Sequence, residues 1–147
     1  MNEHDRIVSP ATVRDADTAV VPEFKHRNPE NSLEAILIPG LGAAVERFAY
    51  GQESVDLARV AISLERYRLA HGEYPKSPDA LVPQFITKLP HDIINGQPLY
   101  YRRTASGQFV LYSVGWNETD DGGEVDLNEN GSVDRDTGDW IWQYPSK

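Results

Sequence analysis

The chain has 147 residues, 39% of them hydrophobic, which suits one ordinary domain with a single core. Its net charge of -9 and pI of about 4.8 come with no basic cluster beyond the pairs Arg66/Arg68 and Arg102/Arg103, which argues against nucleic acid or anionic lipid as a partner. With no cysteine, the chain has no disulfide, thiolate metal site or cysteine nucleophile.

The first residues, Met1-Asn2-Glu3-His4-Asp5, are acidic and polar, unlike the start of a signal peptide. Residues 1–32 carry Pro10, Pro22 and Pro29 and show no apolar period, so they read as a linker or disordered arm. The domain is expected over 33–147. Asn31 or Ser32 could cap a short helix over 33–38, with Glu34 in its first turn, which Pro39 and Gly40 then break. The apolar cluster Leu33, Ile36, Leu37, Ile38 and Leu41 either folds back on the domain or forms a contact surface for another segment. The stretch 33–45 falls short of the ~20 apolar residues of a membrane-spanning helix, so a soluble chain without a span is expected.

A long helix is predicted over 43–70. Leu57, Val60, Ala61, Leu64 and Tyr67 follow the i, i+3, i+4, i+7 rule, and Asp56, Arg59, Ser63 and Arg66 fall opposite. Asp56 with Arg59 and Glu65 with Arg68 are spaced for surface ion pairs. His71-Gly72 ends the helix, with Gly72 in the left-handed cap position. At 1.5 Å per residue it would run about 40 Å, so residues 43–54 are expected to project beyond the sheet. Gly51 near its middle costs about 1 kcal/mol relative to Ala.

Ser77 then caps a one- or two-turn helix with Pro78 at its first position and Pro83 as its stop, folding Leu81, Val82 and Phe85 toward the core. Asn95-Gly96 marks a turn. Residues 98–103 and 108–114 read as strands joined by a hairpin over 104–107. In the second, Phe109, Leu111 and Ser113 share one face and Val110, Tyr112 and Val114 the other. Both faces are largely apolar, so this strand is central. A last strand is expected over 139–144.

Between the last two strands lies an acidic loop, with Glu118, Asp120, Asp121, Glu124, Asp126, Glu129, Asp134, Asp136 and Asp139 against Arg135 alone. Charges this dense repel, and a hard cation with oxygen ligands would order them. Within the loop, Asp126, Asn128, Asn130 and Asp134 occupy positions 1, 3, 5 and 9 of an EF-hand calcium loop, with Gly131 at position 6. Thr137 stands where that loop has its bidentate Glu. The bland alternative is that these residues only make polar turns.

Five stretches together resemble the major pseudopilins of type II secretion: LARVAISLERYRLAHGEYP over 57–75, Ala80-Leu81-Val82-Pro83, DIINGQPLY over 92–100, FVLYSVG over 109–115, and Gly138-Asp139 before Trp140-Ile141-Trp142. This resemblance covers about residues 55–142, and the chain also resembles C-terminal modules of uncharacterised bacterial envelope proteins. The pseudopilin resemblance implies a pilin-like α+β fold, a long N-terminal helix on an antiparallel sheet of three or four strands. It implies a non-catalytic structural and assembly role at the periplasmic side of the bacterial cell envelope, with envelope proteins or copies of itself as partners. It further implies calcium bound by the backbone carbonyl of Val114 and the side chains of Asn117 and Asp139. Asn117 stands where the family has Asp, and the 126–134 stretch lengthens this loop. The family's basic leader, cleavage site and apolar half-helix have no counterpart here. The chain therefore reads as the soluble end of a larger protein or as a relative that lost filament assembly.

Two other readings compete. Trp116, Trp140, Trp142 and Tyr144 could form an aromatic platform for a carbohydrate or protein ligand, unless that face packs under the helix. Loop carboxylates could serve a hydrolase, although a general acid needs a pKa raised by burial. His4, His26, His71 and His91 have no zinc spacing, and His71 suits a structural place at a helix end. His91-Asp92 could orient a nucleophile, but no nucleophile motif is present.

Overall fold

A computed structural model describes residues 7–20 and 32–142, with the backbone alone for 19–20 and 32–40. Two α-helices, one 3-10 turn and three strands are described: α1 (Pro10–Val20), α2 (Ser32–His71), the turn Pro78–Leu81, β1 (Tyr100–Arg103), β2 (Phe109–Ser113) and β3 (Trp140–Ile141).

The α1 helix departs from the expected unstructured arm. Ser9 caps it, accepting from Thr12 N at 3.2 Å, and Pro10 holds the first position, where its missing N–H costs nothing. Pro10 is fully buried, and Val8 and Val13 pack on the core beside it. Val8 N also donates to Ile93 O at 2.8 Å, tying the approach to α1 onto the body.

α2 is one 40-residue helix rather than a short helix, a break and a longer one. Pro39 removes one hydrogen bond, but its fixed φ near -65° is itself helical, so the helix is not ended there. Residues 43–54 do not project freely. Ala49 and Glu53 are buried, and α1 crosses this half so closely that a Cβ at Gly42 would collide with the Asp17 carboxylate. At its far end Gly72 N donates to Arg68 O at 2.7 Å, with φ of 85°, as the cap requires.

The second half of α2 builds the main core. Leu57, Val60, Ala61 and Leu64 meet Phe109 and Leu111 of β2, with Tyr74, Leu81 and Ile86 closing the side. The polar row opposite is less exposed than its spacing suggests. Asp56 and Ser63 are buried, the first bonded to Gln52 and Arg59, the second to Phe85 O at 3.2 Å. Both expected helical ion pairs form, Arg59–Asp56 at 2.7 Å and Arg68–Glu65 at 2.9 Å. Ser77 and Pro78 start the 3-10 turn as expected, and it buries Leu81; Val82 points to solvent instead of the core.

The sheet is antiparallel in the order β1-β2-β3, so β2 is central. Tyr101 pairs with Leu111, and Ser113 with Trp140. The hairpin over 104–107 closes through Thr104 N to Gln108 O at 2.9 Å. Both faces of β2 are apolar because both are covered. One lies on α2; over the other, Tyr100 stacks on Tyr112 and the start of the acidic loop brings Gly123 against Val110 and Tyr112. A second cluster, Ala49, Ile93, Ile94, Val114, Trp116 and Trp140, fills the space between α1, the first half of α2 and the end of β2. Residues 143–144 of the expected last strand lie outside the described residues.

Candidate functional site: the acidic loop and the buried acids beside it

The loop from 115 to 139 begins with a tight reversal. Gly115 has φ of 70°, and a Cβ there would run into the Gly138 carbonyl. The start and end of the loop are thus pressed together, and Asp139 sits at that junction. Its carboxylate is buried and accepts from Gly123 N at 2.6 Å and Asp121 N at 3.3 Å. Burial raises its pKa, the two backbone bonds oppose the rise, and Asp121 and Asp120 add to it. Asn117 joins the same turn, donating to Asp121 at 2.8 Å and accepting from Thr119 N at 3.0 Å. Asp120 accepts from the Tyr112 hydroxyl at 3.0 Å, and burial followed by this acid pushes the phenol up to about 12.

The EF-hand-like stretch forms a small hairpin whose base abuts the neck, with Gly138 against Asp126. Asp134 N donates to Asp126 O at 2.8 Å, and Leu127 bridges Val133. At its tip Asn128 Oδ1 accepts from Asn130 N and Ser132 N, each at 3.0 Å, and Asp134 Oδ1 accepts from Asp136 N at 3.0 Å. The seven expected ligands therefore fall into two groups. Val114, Asn117 and Asp139 lie at the first turn; Asp126, Asn128, Asn130 and Asp134 lie on the hairpin. Among the described residues no three His, Asp or Glu side chains converge as a ready metal cage. A cation here would have to draw the two groups together and share side-chain oxygens that already accept from backbone N–H groups.

The loop's one basic residue does not serve its acids. Arg135 reaches back to Glu46 on α2 at 3.2 Å and lies over the Tyr50 ring. Compensation comes instead from α1, where Arg14 bonds Glu118 at 2.5 Å and Trp116 O at 3.2 Å. Sequence reasoning misses Arg14 because no apolar period marks a helix there to present it.

Two buried acids escape it as well. Glu53 is fully buried in α2, one carboxylate oxygen accepting from Ile93 N at 2.9 Å and the other without a hydrogen-bond partner. Burial lifts its pKa to about 8, the Ile93 bond opposes this, and Asp92 and Asp56 push it further up. A signal exists in the sequence: Glu53 stands one turn before Leu57 on the apolar stripe. Asp92, also fully buried, accepts from Ile94 N at 2.8 Å and Val114 N at 3.1 Å, fastening the 92–97 turn to the end of β2. Its two oxygens are used structurally, whatever the neighbouring His91 does. His71 stacks on Tyr67 at 4.0 Å and bonds Tyr67 O, as a residue closing a helix would.

Trp140 is 1% exposed, edge-on to Tyr50 at 5.3 Å, and Trp116 is buried parallel to it. Neither ring is open to a sugar. Trp142 packs half-buried on the main core, and Tyr144 lies outside the described residues.

No protein family, curated protein or solved structure matches this chain. Among the described residues no helix is long and apolar enough to cross a membrane.

Proposed function

We propose that this chain is a non-catalytic, pseudopilin-like assembly domain of a bacterial envelope or secretion-related protein, and that calcium orders its acidic loop. The observation that carries this reading is the connection from β2 to β3. It holds nine carboxylates, folds over the outer face of the central strand, and sends its one arginine away to α2. A loop of this charge, closed at its neck by Gly115 and Gly138, gains most from a cation that enters its turns. Asn117, Asp121 and Asp139 are already linked by hydrogen bonds at that neck. Asp126 and Asp134 stand at the base of the adjoining hairpin. The periplasmic side of the envelope is the location this reading favours, and other envelope proteins or further copies are its partners.

A thermal melt with millimolar Ca²⁺ against chelator tests the calcium half. A ligand at ~100 times its Kd adds about 2.7 kcal/mol to the native state, a rise of several degrees for a domain this size. Mg²⁺ should not reproduce it, since it keeps its waters and demands a stricter octahedron. Asp126→Ala and Asp134→Ala should lower the melting temperature in calcium and change little in chelator. Equal losses in both buffers would sink the calcium assignment.

A further inference from the structure

The face of α2 turned away from the sheet carries an apolar stripe of its own. Leu41, Phe48, Val55, Ile62 and Leu69 recur at every seventh residue and are 62, 80, 54, 58 and 75% exposed. Val45 adds to the same side. The row spans about 42 Å of helix. Scattered exposed leucines need no explanation, but a strict seven-residue repeat held along this length does. A straight helix drifts ~20° per heptad against such a repeat, so only a second helix supercoiled around α2 meets all five residues.

Between these large residues, three positions on from each, stand Ala44, Gly51, Ala58 and Glu65. The seam therefore alternates large and small from Leu41 to Ile62 and ends at Glu65, which is not small. Nothing lies within 4 Å of a Cβ built on Gly51, so the groove there is open. Arg47 is exposed beside Phe48, and the charges farther along are engaged within the chain. Arg59 holds Asp56, Arg66 reaches Phe85 O and its ring, and Arg68 holds Glu65. What the seam presents is shape and apolar area rather than charge.

The geometry points to a second copy of this chain, its α2 laid antiparallel along the first. Reversing one helix sets the three central large residues of each against the small residues of the other, while Leu41 meets the aliphatic stem of Glu65. Val55 then faces Gly51 of the second copy, Phe48 faces Ala58, and Ile62 faces Ala44, all three in a single register. A parallel pair would instead stack Phe48 on Phe48 and leave voids at Gly51 and Ala58. The exposed fractions amount to between three and four large side chains. With only Phe48 aromatic, the row supplies the apolar centre of an interface, and flanking residues would have to supply the rest of the ~800 Å² that each partner buries in a standard one. A lipid surface fits less well, because a helix lying on a membrane needs a broad apolar face with a basic border rather than a narrow repeat with small residues.

This pairing deepens the assembly reading by naming its partner, and the two can fail separately. Sedimentation of the full chain should show a concentration-dependent species of twice 16.5 kDa. Phe48→Glu with Ile62→Glu should weaken association at least tenfold while leaving far-ultraviolet circular dichroism unchanged. Because the chain has no cysteine, Phe48→Cys and Ala58→Cys chains can be mixed and oxidised. The mixed disulfide should dominate. A monomer at all concentrations, a dimer indifferent to the two glutamates, or homodisulfides alone would each overturn the pairing. So would a monomer that co-sediments with phosphatidylserine vesicles, which would assign the stripe to lipid. A monomer that still gains stability from calcium would remove the seam and leave the acidic-loop reading standing.

Discussion

Glu53 occupies a place on α2 where an aliphatic side chain would ordinarily sit. It bonds Ile93 N with one oxygen and leaves the other buried without a hydrogen-bond partner, close to Asp92 and Asp56. Its pKa near 8 in the fold, against 4.5 for the free side chain, has a definite thermodynamic sign. Between these values the native state holds a proton that the unfolded chain has released, so unfolding gives up protons and stability falls as pH rises. The stabilising contribution is whole below pH 4.5 and lost as pH climbs through about 8. Each tenfold difference in proton affinity between the two states corresponds to about 1.36 kcal/mol. Glu53→Gln keeps an acceptor for Ile93 N without the titration. It should flatten the pH dependence and raise stability near pH 8 by on the order of 2–4 kcal/mol, with little change at pH 4. Urea titrations at the two pH values measure this, and parallel curves for both proteins would refute it. At this scale the sequence is legible where spacing decides contact, as for Arg59 with Asp56 and His71 at the helix end. It is not legible for Asp92, because a turn's hydrogen bonds to a strand 22 residues away leave no local pattern.

The helices show why some elements can be read and another cannot. Ser77-Pro78 and Ser9-Pro10 are the same start signal, a capping hydroxyl before a proline suited to the first helical position. The first stands beside a clear apolar run, which makes it recognisable. The second precedes a helix whose inward face is Pro10, Val13 and Asp17, a row with a carboxylate in it and hence without a plain hydrophobic period. α1 is stable because it docks, through buried Pro10, the Val8–Ile93 bond and Arg14 on Trp116 O. Short helices draw most of their stability from such packing. Ser9→Ala removes the cap and should cost about 1 kcal/mol, within the usual ~0.5–2 kcal/mol. Because α1 covers the second core cluster, the loss should appear in the global melt. Faster amide exchange confined to residues 10–20, with an unchanged melt, would show that α1 opens independently of the body. The strands are legible through alternation, and the two apolar faces of β2 mark it as central. What the alternation does not reveal is that the covering on the outer face comes from the acidic loop.

At the scale of the molecule, apolar material and charge are segregated. Two core clusters follow one another along α2, the seam lies on its other side, and the acids gather at the β2–β3 connection. The α+β layout can be read from the sequence because helix and strand periods are local. How the acids sit cannot, because their arrangement depends on which side chains cap which backbone amides. This charge distribution makes two ionic effects separable. With chelator present, raising salt from about 0.01 to about 0.15 M shortens the Debye length from about 30 to about 8 Å and mutes repulsion among the carboxylates. Stability should therefore rise gently and continuously with any monovalent salt. Calcium bound in the turns should add a saturable increment on top of this, at concentrations too small to change screening, and should persist at physiological ionic strength. Asp139→Asn tests where that increment arises. Its amide still accepts from one backbone N–H, so the neck of the loop keeps part of its bonding, but the charge at the junction is gone. The expected result is an unchanged or slightly raised melting temperature in chelator, since a buried, destabilised carboxylate has been neutralised, together with a smaller calcium increment. If the variant keeps the full increment, the cation is held by the 126–134 hairpin without the neck. If calcium gives wild type no more than sodium of equal ionic strength, the loop holds a diffuse ion atmosphere rather than a site.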